Sequence, residues 1–462
     1  MLTEMPNSGG KNQLRVLIAG SGVAGLEALA ALRELAGSQV EITLLTPSRS
    51  FSYRPLSSST PFALHRERTL DVGQITADLN AELAVGRVVN VDVDGGALLT
   101  ADGDELEFGA LVLATGARAG AQLEGVLTWR GDADASAFAE LVAAIARQET
   151  RRVAFVVPPG TGWAMPAYEL AVIAARAACA GGERERSTGV SLLTAEPAPA
   201  WALGAEARDA VLSALNAAGV DVVCDARPTP SELVQFDRVV ALERQQGPAL
   251  AGLAHDSAGF LRVSGGAAVS GARRVWAAGD ATATSIKHTT IATQQADAAA
   301  RSIAAIVQGV GQPRTAPCAL RGIIVTPTLP RQPAEGETLI HCLWWPPGRV
   351  VGTYLARYLR THDAAVHPDP HWHPHGVAVD VAVLGSDGES PAAGETRGGP
   401  DRRTWMPDAE ERQLTALRRV EREGARETRQ MRDELEALDR RSEGVVEQLA
   451  NAGYLWHRDA RA

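Results

Sequence analysis

The chain has 462 residues, 45% of them hydrophobic and 22% charged, a soluble globular balance long enough for two to four domains. Its 45 basic and 55 acidic side chains leave a net charge of −10, so no cationic surplus is available for phosphates and no nucleic-acid partner is expected. Cys179, Cys224, Cys318 and Cys342 form no C-x-x-C, Met1 to Gln13 has no apolar signal core, and no run of about 18 apolar residues occurs. A reducing cytoplasm is the expected location, with no disulfide scaffold, zinc ribbon or spanning helix.

In chain order, Val16 to Ala19 reads as a buried parallel strand. Gly20, Gly22 and Gly25 follow with G-x-G-x-x-G spacing, with Val23 and Ala24 between them, and an alanine- and leucine-rich helix runs on through Leu35. Such a turn brings backbone N–H groups at a helix N-terminus against a dinucleotide pyrophosphate. Val40 to Leu45 is the second strand, ending at Thr46 where many such folds place an acid on the ribose. Val85 to Leu106 is hairpin-like, with turns at Asp94-Gly95-Gly96 and Asp102-Gly103. Ala110 to Arg118 closes the unit, its strand ending in Thr115-Gly116.

A second unit repeats the pattern: strand Val153 to Val157, helix Pro166 to Cys179, strand Val190 to Thr194, helix Ala205 to Ala218, strand Val220 to Cys224. This predicts a duplication of doubly wound domains. The strand Val275 to Ala278 then meets Gly279-Asp280, and Thr289 or Thr290 is placed to cap a helix reaching Val307. Cys318 to Leu359 reads as an α+β segment, Thr361 to Pro407 as a linker, and Asp408 to Ala450 as a charged helix with a broken apolar seam.

The three glycines, Ala114-Thr115-Gly116 and Ala278-Gly279-Asp280 occur in the order of two-dinucleotide-fold flavoproteins. The chain resembles the pyridine nucleotide–disulfide oxidoreductase superfamily. Tyr53-Arg54-Pro55, Pro158-Pro159-Gly160, Gln294-Gln295-Ala296-Asp297 and Trp344-Trp345-Pro346-Pro347 look like its branch of type II NADH dehydrogenases and sulfide:quinone oxidoreductases. The resemblance implies an α/β fold of two Rossmann-like domains, the second inserted in the first, with a C-terminal α+β segment and a helical tail. The expected pieces are 14–118 with 273–310 for FAD, 150–255 for NAD(P), 311–360 as an interface segment, 361–407 as linker and 408–450 as tail.

It also implies FAD as cofactor, NAD(P)H as the leading donor and a quinone or other small acceptor. A sulfur-donor dehydrogenase and a non-catalytic FAD-binding interaction protein are the alternatives. Asp280 would accept hydrogen bonds from ribityl hydroxyls, and the helix near Thr290 would aim its positive end at the flavin. Lys287 would add a cation there, or be a solvated loop residue. Glu169 matches a glutamate placed beside the flavin in relatives, where it would relay protons; the alternative is first-turn helix charge. Glu196, at the end of the second strand of its unit, is either a ribose ligand or a solvated acid.

The second glycine motif is altered, however. Pro158-Pro159-Gly160-Thr161-Gly162-Trp163 places two prolines and a bulky ring where a pyrophosphate needs backbone donors. No C-x-x-C or C-x-x-x-x-C pair is present, and Thr161 and Gly162 stand near the Pro158 loop where the resemblance implies a cysteine, which counts against both thiol chemistries of the superfamily. Cys318 and Cys342 either meet in space or are plain packing residues. His367, His371, His373 and His375 are ordinary for a proline-rich linker, and no metal is expected. Val350, Tyr354, Leu355, Tyr358 and Leu359, beside two tryptophans, fit a core or dimer helix or a peripheral membrane face on the inner leaflet. The tail helix is expected to dock on the body or pair with another copy.

Overall fold

The computed structural model describes residues 13–53, 68–121, 123, 125–179, 188–264, 266–313, 317–325, 343–345, 352–362 and 376–383. All lie in the first of two units, Met1–Ser390; the charged tail, the four-histidine run and Cys342 fall outside them.

Two five-stranded parallel sheets organise the chain. In the first, the strand Leu14–Ala19 lies between Val40–Thr46 and Ala110–Leu113, with Glu82–Val85 and Val275–Ala277 at the edges. Four residues at the centre of this sheet, Val16 to Ala19, are apolar and buried, as a strand covered on both faces requires. The helices Val23–Ala36 and Thr289–Gln308 pack together on one face, through Ala24, Ala28 and Ala31 on one side and Ala292, Ala296 and Ala299 on the other. Small side chains let the two helix backbones approach closely. The expected hairpin is a three-stranded antiparallel layer of Val88–Asp92, Ala97–Thr100 and Glu105–Glu107.

The second sheet repeats the central order. Arg152–Val157 pairs with Gly189–Thr194 and Arg238–Leu242, and Val220–Val223 extends it. Its outer strand, Leu127–Trp129, comes from ahead of residue 150, so this sheet draws on chain that the sequence pattern assigned to no domain. The duplication is therefore visible in strand order as well as in sequence.

The C-terminal segment reaches both folds. Cys318–Val325 pairs antiparallel with Trp344–Trp345 and with Gly376–Val383. Leu320, Ile324, Leu343, Trp344 and Val379 join the core of the second fold, whereas Tyr354, Leu355 and Leu359 of the helix Tyr354–His362 join that of the first. The expected linker 361–407 thus contains an eight-residue strand. Its GVAVDVAV alternation was masked by the Pro, His and Asp residues around it. The apolar face of the helix is spent on the first fold's core rather than turned outward.

Two buried carboxylates fasten this segment. Glu27, the fifth residue of the helix Val23–Ala36, accepts the backbone N–H groups of Tyr354 (3.1 Å) and Leu355 (2.6 Å). Glu169, the fifth residue of Met165–Cys179, accepts those of Leu343 (2.8 Å) and Trp344 (3.4 Å). The same position in the two copies thus performs the same task. Burial pushes the Glu27 carboxyl up, against the opposing pull of its backbone donors.

Candidate functional site

The glycine turn of the first fold opens onto a cleft of about 600 Å³. Gly20, Ser21 and Gly22 form one wall and Thr46, Pro47 and Ser48 another; Thr115, Gly116 and Pro248 also line it. Arg87 and Arg118 reach the lining, which includes no carboxylate, in a chain of net charge −10. Such a cleft favours an anion.

The three glycines are needed for three different reasons. Gly20 has φ +117°, and a Cβ there would lie inside contact of the Ala114 carbonyl, with the Thr115 nitrogen at 3.1 Å. A Cβ on Gly25 would meet the Gly20 carbonyl, whose carbon stands 2.9 Å away. Both are demanded by the packing of strand, turn and helix. Gly22 is not: it has φ −75° and ψ −175°, which any residue adopts, and nothing lies within 4 Å of its Cβ position. Its Cβ direction is free for an occupant of the cleft.

The hydroxyl of Thr46 meets that of Ser21 at 2.7 Å and the Ser48 backbone N–H at 3.2 Å, so the strand end offers hydroxyls where an acid is usual. Thr115 Oγ1 is buried with no hydrogen-bond partner among the described residues, an acceptor-donor open to a ligand.

The Gly279-Asp280 turn sits at the meeting of the two long helices. A Cβ on Gly279, at φ +76°, would touch Ala24 and Ala292 at 3.2 and 3.4 Å. Gln295 holds this turn, accepting the Gly279 N–H (2.8 Å) and donating to Thr282 Oγ1 (3.2 Å). Its neighbour Gln294 ties the same helix to the C-terminal sheet, exchanging two bonds with the backbone of Ala319 (2.8 and 2.9 Å). Burial pushes the Asp280 carboxyl up, offset by the Lys287 charge. Lys287 is buried, donates to the Thr282 carbonyl and lies 3.9 Å from the centre of the Phe260 ring. Burial, opposed by Asp280 and Asp256, lowers its amine to about 8. It is no solvated loop lysine.

The helix cap is His288, where Thr289 or Thr290 was expected. The helix includes both threonines, and His288 Nδ1 accepts the Thr290 N–H at 3.2 Å. That acceptance leaves the ring proton on Nε2. Trp163, His288 and Trp344 form a cluster with centroids 4.7, 5.2 and 5.8 Å apart. Burial lowers His288 to about 4, so the ring is neutral at neutral pH. A histidine carries little capping signal in sequence, which is why this cap was not legible.

In the second fold, Glu196 lies two residues beyond the strand end at Thr194. It is neither solvated nor turned outward. It accepts from the fully buried Tyr168 hydroxyl and from Thr194 Oγ1 (3.1 Å), and burial raises its carboxyl. Glu169 likewise is committed to the backbone of the C-terminal segment rather than left as bare helix-end charge. Among the described residues no group of His, Cys, Asp and Glu could hold a metal ion, and no helix is long and apolar enough to cross a membrane.

Two parallel dinucleotide-type folds, with a glycine turn facing an anion-favouring cleft, define a two-dinucleotide-fold protein. The chain belongs to the pyridine nucleotide-disulphide oxidoreductase family, whose model matches residues 14–247. No curated protein matches it. Among solved structures it is similar to the sulfide:quinone oxidoreductase of Aquifex aeolicus (TM-score 0.57, 19% identity, covering 69% of this chain and 85% of that one). It is also similar to a chain of the Tetrahymena thermophila mitochondrial ATP synthase (TM-score 0.52, 12% identity, 70% and 86% covered). At these identities the likeness is one of fold.

Proposed function

We propose that the first fold binds FAD non-covalently and that the protein is an FAD-dependent oxidoreductase, passing electrons from a small-molecule donor to a quinone or other small acceptor. The observation that carries this reading is the cleft at Gly22: open in front of the one glycine of the three in the motif that the packing does not itself require, lined by two arginines and free of lining carboxylates. The orphaned Thr115 hydroxyl adds a polar atom waiting for a partner.

FAD would supply the two-electron chemistry. Gly20 makes the turn, and Gly22 admits the pyrophosphate. Val23, Ala24 and Gly25 present the helix N-terminus to it. Thr115 and Gly116, in the cleft's lining, would face the cofactor further along, and the Gly279-Asp280 turn would hold its ribityl chain, with Asp280 accepting from the hydroxyls. The start of the helix at Thr290 and the amine of Lys287, protonated below about pH 8, favour negative charge gained beside them. We assign Glu169 a fastening role rather than proton transfer.

We infer that NAD(P)H, the first donor expected, is not favoured at the second fold. Seven residues, Pro158 to Ala164, separate its first strand from its helix, against three, Gly20 to Gly22, in the first fold, and Glu196 is committed to Tyr168. A sulfur donor handled by paired thiols is not favoured either: among the described residues Cys179, Cys224 and Cys318 are all free, and Cys179 is exposed. We place the protein in the cytoplasm. The purified protein should be yellow and release FAD on denaturation; a colourless preparation that takes up no added FAD defeats the reading. Anaerobic mixing with a quinol, sulfide, NADH or NADPH then separates donors by which one bleaches the flavin bands. Bleaching by none of them, in FAD-loaded protein, supports a binding protein instead.

A further inference from the structure

The 158–164 loop of the second fold has lost the features that hold a pyrophosphate and acquired contacts with the other fold. Pro158, Pro159 and Pro166 contribute no N–H. The Thr161 N–H and hydroxyl both turn back to the Pro158 carbonyl (3.3 and 2.9 Å), and the Ala167 N–H at the helix start is taken by Ala164 (3.0 Å). Two of the loop's seven residues therefore supply no N–H, and that of Thr161 is spent within the loop.

The loop leans instead on the start of the long helix of the first fold. The Gly162 carbonyl accepts the Lys287 N–H at 3.0 Å. A Cβ on Gly162 would fall 2.6 Å from that of Lys287 and 2.7 Å from Gln245 Oε1, so only glycine lets the strands of loop come this close. The next residue, Trp163, packs its ring on His288 and Trp344. Behind the loop, the Tyr168 hydroxyl joins Glu196 and accepts the Ala200 N–H at 3.1 Å, filling the interior side of the strand end with the protein's own hydrogen bonds.

We propose that the second fold takes no dinucleotide and that its loop is a wall of the first fold's site, holding Lys287 and His288 in place. The electron donor is then a molecule recognised at that site, without an adenine-nucleotide handle. The wall's service to a flavin rests on the FAD reading above; the failure to take a dinucleotide does not.

Equilibrium dialysis of the FAD-saturated full chain against NAD⁺, NADP⁺ and ADP-ribose tests the first half. No saturable binding tighter than about 1 mM is expected, a free energy weaker than about 4 kcal/mol. Saturable binding that excess FAD does not displace, and that persists in Gly22→Arg, belongs to the second fold and overturns the proposal. A chain without FAD gives the same readout in the Gly22→Arg background, so failure of the flavin reading is a separate result.

Trp163→Ala tests the second half. Removing the ring admits water to His288, and its titration, followed by NMR of the labelled imidazole, should rise from about 4 toward the ordinary 6.5. The visible bands of bound FAD should shift with it. An unmoved His288 titration together with unmoved flavin bands refutes the wall. If Trp163→Ala does not fold, Trp163→Leu, which keeps an apolar side chain but no ring, is read in the same way.

Discussion

Substituting the second and third glycines separately distinguishes a residue required by the fold from one required by a ligand. In Gly25→Ala the new methyl meets the Gly20 carbonyl, its carbon 2.9 Å away, and an ordinary contact of about 3.4 Å or more needs helix and turn to part. Neither side is a flexible side chain, so the movement is of backbone, and overpacking of this kind costs about 1–3 kcal/mol. At about 2–4 °C per kcal/mol for a domain of this size, the melting temperature should fall by roughly 2–12 °C. In Gly22→Ala the methyl enters empty space from a backbone conformation open to any residue, so stability should change by about 0.5 kcal/mol or less. Its FAD affinity should nevertheless drop at least about tenfold, or about 1.4 kcal/mol, because the methyl occupies the approach to the cleft. Gly22→Arg should abolish retention. Thermal melts of the two apoproteins, with FAD content measured after gel filtration, read both quantities. A Gly22→Ala protein that melts normally and keeps its full complement of FAD refutes the argument from the cleft.

Further outcomes follow from buried groups and from the C-terminal segment. Glu27→Ala strands the N–H groups of Tyr354 and Leu355, each worth about 1–3 kcal/mol, so it should lower the melting point and raise amide exchange in 354–362; unchanged exchange there contradicts the fastening role. Because the folded Glu27 carboxyl lies above its unfolded value, its contribution is favourable at low pH and is lost as pH rises through the raised value; Glu27→Gln should flatten that part of the stability profile. Lys287 has the opposite sense: its folded value of about 8 lies below the unfolded 10.5, so stability should rise between those pH values, by about 3 kcal/mol at most, and Lys287→Met should remove the rise in urea titrations at pH 7 and 10. Truncation after Ser390 should keep the FAD spectrum and the melting point, whereas truncation after Leu359 deletes the strand Gly376–Val383 and should lose stability; equal melting points for the two would contradict its pairing with Cys318–Val325.

The parallel sheets and their glycine turn were legible because their signals are local. Val16 to Ala19 is apolar throughout, the glycines follow at once, and the expected strands of the two units are found within about two residues at either end, except that the one from Ala110 stops at Leu113, short of Thr115-Gly116. The strand Gly376–Val383 was not legible, because its partner lies more than 50 residues earlier and its flanks are rich in Pro, His and Asp. Residue types at the site were visible, but their partners were not. Glu169 and Glu196 both read as carboxylates free for chemistry, and both are engaged by groups the sequence does not place beside them: a backbone 174 residues away and a tyrosine 28 residues away.

The duplication explains why the same residue type could mislead. Glu27 and Glu169 occupy the same turn of the first helix in each fold, and a helix position just past a glycine turn suggests a ligand in either copy. What separates ligand from fastening is the chain that returns over it. The C-terminal segment crosses both helices and brings backbone N–H groups to each, at 343–344 and at 354–355, and a buried carboxylate is a strong acceptor for such donors. At the loop before this helix the two folds differ: three residues at Gly20 to Gly22 leave a cleft, and seven at Pro158 to Ala164 fold onto Lys287 and His288. A duplicated fold can thus retain its sheet, helix and fastening carboxylate while the loop ahead of the helix opens on a cleft in one copy and packs on its neighbour in the other.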